Sequence, residues 1–300
     1  MWNGILNVHK EAGYTSNDVV AKLRGILHQR RIGHAGTLDP DATGVLPVLL
    51  GNGCRISEYM MDHDKTYHAC LLLGVTTDTQ DMSGEILAES GTDDLTEETV
   101  REAVMSFVGE YDQIPPMYSA KKVGGKRLCD LAREGRTVER KPVRVRISSI
   151  QILRIAIPEV EFSVECSKGT YIRTLCADIG EKLSCGAAMK SLVRTRVGGF
   201  YLEDALTLDR IRELADSGTL NDRVIPVEEM FLDHLRARTV PEADRKLMNG
   251  NRLSCRELVL PSRGAGDMIR VCTSAGEFAA VYRFDPERGD YVPWRMLPEI

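Results

Sequence analysis

Three hundred residues provide chain for one large domain or two unequal ones. At 43% apolar and 28% charged residues the composition excludes a disordered chain, and no apolar run approaches the roughly 18 residues of a membrane helix. The net charge of −5 argues at first sight against a nucleic-acid partner, but the charges are segregated. Ten Lys or Arg stand against three acids from Lys121 to Arg146, and eleven acids against Arg101 from Asp78 to Asp112. Such segregation either presents a positive surface to phosphates or forms a solvated charged face; composition leaves both open.

The opening MWNGILNVHK lacks the long apolar core of a signal peptide, so a cytoplasmic protein is expected. Residues 4–8 read as a strand. A helix follows over 16–29, where Ser16 can cap and Val19, Val20, Leu23, Ile26 and Leu27 recur at helical spacing. Residues 30–47, RRIGHAGTLDPDATGVLP, mix glycine and proline without a period and read as a structured loop. A helix over 53–62 and a strand in TYHACLLLG come next, then the turn-rich GVTTDTQDMSGE. Residues 96–108 read as a helix capped by Thr96, with Thr99 in place of the Glu of a capping box, so only the cap is expected.

From 115 to 142 the chain is basic and punctuated by glycine, with a short helix expected at 126–134. An insertion of this length before the strands at 143–157 and 160–166 is more often functional than idle. The clearest helix has Thr170 as its expected cap and one stripe of Ile172, Leu175, Cys176, Ile179 and Leu183, flanked by Tyr171 and Arg173. Another helix is expected near 207–216. Around Leu235 the pattern changes to a helix at 241–249 and short strands at 269–274, 277–284 and 291–295. The expected fold class is mixed α/β (α+β): a domain over 1–232 around a central mixed or antiparallel sheet, then a small β domain over 235–300.

Neither a cofactor nor a metal is expected. GNGCRI (51–56) lacks the third glycine of a dinucleotide loop, and GGKR (124–127) lacks the upstream glycine and the Ser or Thr of a phosphate loop. The eight cysteines contain no CxxC pair and read as small buried hydrophobes; the six histidines lack ligand spacing, and His63 reads as a solvated helix end. Chemistry then rests on ordinary side chains, and GHAGTLDPDATG (33–44) is the best candidate. Its glycines let backbone approach a ligand, and Pro40 keeps Asp39 out of the helical region. Asp39 fits either a turn-capping residue or a catalytic carboxylate. Asp41 offers a second acid, Arg173 is equally compatible with a surface arginine, and Tyr67 and Tyr171 with core aromatics.

Five segments in order resemble the TruB-type tRNA pseudouridine synthases: GHAGTLDPDATGVLPVLLG (33–51), KTYHACLLLGVTTDTQDMSGE (65–85), IPPMYSAKKVGGKRLCDLAREGRTVERKPV (114–143), SKGTYIRTLCADIG (167–180) and SLVRTRVGGF (191–200). The tail from about 235 resembles a PUA-type RNA-binding barrel. The resemblance implies isomerisation of the T-loop uridine of tRNA without metal or cofactor, with a grip on the T arm near the elbow; no protein partner is implied, and a monomer is the default expectation. It makes Asp39 the essential carboxylate, Tyr67 the stacking residue, and Tyr171, Arg173 and Leu192 the pocket lining, with Arg173 paired to Asp39. His34 would hold the T loop open. Lys10 would belong to the binding site, although Glu11 follows it where the family has proline. Lys121, Lys122, Lys126 and Arg127, in the insertion at about 115–146, would clamp the RNA; Cys129 there stands where an aromatic is usual. Three rivals are an RNA-binding scaffold without chemistry, a metal hydrolase using Asp39, Asp41, Asp78 and Asp81, and a guide-RNA-dependent relative.

Overall fold

Apolar residues at period two build a sheet through most of the molecule, as in residues 159–166, where buried and half-buried positions alternate. The computed structural model describes residues 1–260 and 266–298. Its first elements are β1 (Gly4–Lys10), α1 (Ser16–Ile26), β2 (Ile32–His34), β3 (Thr43–Leu50), a 3-10 segment (Gly51–Ile56), α2 (Ser57–Met61), β4 (Lys65–Leu73), β5 (Val75–Thr77) and β6 (Ile86–Glu89). Then come α3 (Glu97–Met105), β7 (Gly109–Gln113), β8 (Lys122–Val123), β9 (Lys126–Arg127), α4 (Leu128–Arg133), β10 (Val143–Ala156), β11 (Glu159–Cys166), α5 (Ile172–Lys182), β12 (Ala187–Val197), β13 (Phe200–Tyr201) and α6 (Leu208–Asp216).

The main sheet runs β1-β3-β12-β4-β11-β10-β7, with β2 added to β3 and β13 to β12. Its pairs are antiparallel except β3 with β12, where Val193 and Arg194 meet Thr43 and Gly44. That junction requires Gly44: its φ is +108°, and a Cβ there would stand 2.2 Å from the Arg194 carbonyl oxygen. On one face α3 and α5 cover Leu71, Phe162, Val164 and Met189. Elsewhere α1 and α6 close over Leu6, Val8, Leu46 and Val48. The Asp39 loop thus leaves the sheet where β3 meets β12, one strand in from the β1 edge and beside the start of α5.

A second sheet follows: β14 (Leu235–Thr239), α7 (Asp244–Met248), β15 (Leu253–Ser254), β16 (Leu258–Val259), β17 (Met268–Cys272), β18 (Phe278–Asp285) and β19 (Asp290–Met296). Its order β15-β19-β18-β17-β14-β16 forms a nearly closed, barrel-like layer. The expected span 235–300 includes residues 261–265 and 299–300, which lie outside the described residues. The two sheets share a core: Val281 and Leu297 pack with Ile5, Leu49, Ile56, Met60 and Phe231. Polar ties reinforce it, with Asn52 Nδ2 donating to Leu297 O at 3.1 Å and Arg55 Nη1 to Met296 O at 2.7 Å.

Several local expectations change. Thr15, not Ser16, caps α1, because Ser16 Oγ is spent on Leu38. Thr99 does complete a capping box: its hydroxyl accepts from the Thr96 N–H at 3.1 Å. Thr170 does not cap α5; its hydroxyl donates to Ser167 O and Tyr171 holds the cap position. Residues 53–62 form a 3-10 segment and one short helix, and His63 lies half-buried against the Tyr59 ring. The long strand β12 and the parallel β14 had no clear signal, since Arg and Lys interrupt their alternation. Five of the eight free cysteines are buried, but Cys255 is exposed.

Candidate active site

Residues 35–42 leave the sheet between β2 and β3, and polar groups on three sides fix their path. From α1, Ser16 Oγ accepts from Leu38 N at 2.9 Å. From β1, Lys10 Nζ donates to Ala42 O at 2.6 Å, Pro40 O at 2.9 Å and Glu11 O at 3.0 Å. From β12, Arg194 donates through Nε to Val45 O at 2.7 Å, Nη2 to Gly36 O at 3.1 Å and Nη1 to Thr37 O at 3.4 Å. The turn at Asp39 is closed by main chain, Ala42 N to Asp39 O, which frees the Asp39 carboxylate.

That carboxylate faces Arg173 in the first turn of α5. Arg173 Nε lies 3.0 Å from Asp39 Oδ2 and Nη2 3.3 Å from Oδ1, a two-pronged pairing. The guanidinium is 6% exposed, whereas the Asp39 side chain keeps 39% of its surface open, so the pair is rooted on the arginine side and accessible on the acid side. Arg173 also donates to Thr79 O at 3.0 Å and Tyr118 O at 2.7 Å, and its Nε lies 3.6 Å from Asp81 Oδ2. Asp81 is itself held by Thr79 Oγ1 and Ser83. Burial is the largest influence on Asp39 and pushes its pKa above the usual carboxylate value; Arg173 and Lys10 oppose that shift and Asp81 adds to it.

The carboxylate opens into a cleft of about 770 Å³ lined by Leu38, Tyr67, Tyr171, Arg173, Leu192 and Arg194 among others. Tyr67 stands on β4 directly across from Arg194 on β12. Burial raises its hydroxyl above the ordinary tyrosine pKa, and Arg194 opposes that rise. Tyr171 is placed by buried Gln113, whose Oε1 accepts from its N–H at 2.7 Å and whose Nε2 donates to its carbonyl at 3.0 Å. Leu192 and Ile172 form an apolar wall, and at the rim Lys168 pairs with Asp62 at 2.7 Å and Arg144 with Asp112 at 3.0 Å.

The structure therefore brings Asp39, Tyr67, Tyr171, Arg173 and Leu192 together. Lys10 lies behind the loop, 0% exposed, and serves its backbone; burial lowers its pKa to about 8. His34 ends β2, half-buried and outside the cleft lining, with Nδ1 buried and without a hydrogen-bond partner among the described residues. Lys122, Lys126 and Arg127 are exposed on the β8–β9 hairpin and Lys121 is half-buried. Lys126 pairs with Glu134 at 3.3 Å and Arg127 with Asp130 at 2.8 Å. The four acids of the hydrolase reading do not converge: Asp39 and Asp81 meet at Arg173, Asp78 accepts from Glu85 N, and Asp41 is exposed. Sequence reasoning missed Arg194 and the contribution of Asp81 to the arginine pair. Arg194 stands two positions after Leu192 on one strand face, a spacing that could have revealed it.

In overall fold the chain matches solved ribonucleoprotein and protein assemblies. An H/ACA ribonucleoprotein bound to a substrate RNA containing 2′-deoxyuridine aligns over 99% of this chain and 85% of that one, with a TM-score of 0.72 at 23% identity. A Cbf5–Nop10–Gar1 complex aligns over 98% and 85%, with a TM-score of 0.73 at 24% identity. In sequence, the model for the N-terminal domain of TruB family pseudouridylate synthases matches residues 24–172, and that for the tRNA pseudouridylate synthase B C-terminal domain matches 173–232. Proteins named tRNA pseudouridine synthase B are 47% identical in Lachnoclostridium phytofermentans, over 98% of this chain and 99% of that one, and 41% identical in Staphylococcus epidermidis, over 100% and 99%. The chain belongs to the TruB family of pseudouridylate synthases.

Proposed function

We propose that this enzyme converts the T-loop uridine of tRNA to pseudouridine, with Asp39 as its catalytic carboxylate. The observation that carries the reading is the Asp39–Arg173 pair, open on the acid side to a cleft with an aromatic floor and an apolar wall. The reaction is an isomerisation. The C1′–N1 bond breaks with its electron pair on the base, C1′ rebonds to C5, the C5 hydrogen leaves as a proton and N1 gains one. No electrons are gained or lost overall, so side chains suffice.

A uridine within a folded loop must leave its stack, at a cost of a few kcal/mol. Stacking on Tyr67 returns about 1–3 kcal/mol. Arg173 opposes the pull of burial on the Asp39 carboxylate. Either attack by Asp39 on the ribose or base, or proton abstraction from the sugar, fits the open carboxylate. Lys10 acts as a positioning residue beneath the loop, and His34 meets the nucleotides displaced around the target.

In this reading residues 1–232 are the catalytic domain, residues 235–300 a PUA-like RNA-binding domain, and Lys121, Lys122, Lys126 and Arg127 close on the T arm. Direct tRNA recognition is favoured over guide-RNA dependence by the 40–47% identity to relatives named for tRNA. The enzyme acts as a cytoplasmic monomer; no helix among the described residues is long and apolar enough to cross a membrane. Tritium release from C5-labelled uridine in an unmodified tRNA transcript, with EDTA present, tests the reading. Release by wild type and none by Asp39→Asn is expected. Release by both would remove Asp39 from the chemistry. No release by either, with tight tRNA binding, would favour a binding scaffold.

A further inference from the structure

Arg194 is 1% exposed, among the largest fully buried side chains, and among the described residues no carboxylate lies within ion-pair distance of it. A buried guanidinium without a counter-ion is costly, and tethering a loop to carbonyls does not by itself require a charge. Among the described residues its three hydrogen bonds go to Gly36, Thr37 and Val45, on either side of Asp39. A guanidinium has five N–H donors, so two remain. Its cross-strand neighbour is Tyr67, on the same sheet face, and both line the cleft.

We propose that Arg194 is a positioning residue for the isomerisation, fixing the Asp39 loop and the Tyr67 phenol in one geometry and setting a positive field under the base. Because it rests on the pseudouridine synthase reading, it uses the chemistry stated above. When the C1′–N1 bond breaks the electron pair stays on the base, and a desolvated cation beneath the ring stabilises that charge as it develops. The two remaining N–H donors are available to the phenol oxygen of Tyr67, the cross-strand neighbour. Arg194 also opposes the rise that burial imposes on the Tyr67 hydroxyl.

The test uses Arg194→Lys, which keeps the charge, and Arg194→Gln, which keeps polar contacts without it, each alone and with Tyr67→Phe. Single-turnover rate, KM for unmodified tRNA and the thermal midpoint are measured for all. The glutamine variant should lose on the order of 100-fold in rate with KM little changed, and lysine should recover part of that loss. The penalty should shrink in the Tyr67→Phe background, since groups acting through one another are not additive. Equal penalties in both backgrounds, or lysine no better than glutamine, would overturn the proposal. So would failure of both variants to fold, which would make Arg194 a tether alone. A wild type that makes no pseudouridine would instead sink the functional reading.

Discussion

Residues 35–42 and residues 114–121 both run without helix or strand, yet they are held very differently. The first segment is pinned from α1, β1 and β12 by Ser16, Lys10 and Arg194. The second leads into a small unit that is tied mostly to itself. Cys129 N reaches Ser119 O, Leu128 N reaches Lys121 O, and Arg127 pairs with Asp130 three residues on. Only Leu128 and Leu131 of that unit are buried. It meets the chemistry only at its start, where Tyr118 O accepts from Arg173 Nη2 and Ser119 and Ala120 line the cleft. The difference separates two tasks. A reacting carboxylate gains from a geometry that binding does not change, whereas a phosphate clamp gains from a surface that can adjust.

Asp39→Asn should break the first region most cleanly. Turnover should fall on the order of 10³-fold while tRNA affinity, measured by filter binding, stays near wild type. Retained turnover would refute the assignment. Arg173→Met should cost about 100-fold in single-turnover rate and move the acid limb of the pH–rate profile upward. Asp39 already titrates above the usual carboxylate value through burial, so activity should be lost as pH falls through that raised pKa. Removing the arginine's charge raises it further. An acid limb that moved down would contradict the pairing.

Lys10→Met should leave three carbonyls without their shared donor and destabilise the chain by roughly 2–3 kcal/mol, read from urea midpoints, with slower turnover following. Unchanged stability would mean that the loop is held without it. The smallest effects belong to the insertion. Lys121→Ala with Lys122→Ala should weaken tRNA binding and flatten its salt dependence, each lost phosphate contact removing about 0.7–0.9 from the logarithmic slope. Arg127→Ala should change the slope less, because Asp130 already neutralises that side chain. Equal slopes for all three would erase the distinction between free and self-paired cations.

Much of the site was legible locally. The Asp39 loop announces itself by its glycines and Pro40, and the stripe from Ile172 to Leu183 sets α5 and hence where Arg173 points, because helical period is a property of neighbouring residues. The resemblance then joined Asp39 to Arg173 across the chain, and the structure has them 3.0 Å apart. What sequence alone determined, then, is the chemical inventory, the helices and the family. Tertiary structure alone decided that Asp81 shares Arg173, that Lys10 serves the loop from behind, that Arg194 stands beside Tyr67 on the next strand, and that the C-terminal sheet shares a core with Ile5 and Phe231. Each of these joins residues far apart in the chain, and burial and backbone carbonyls, which carry no side-chain signature, decide which polar group goes where.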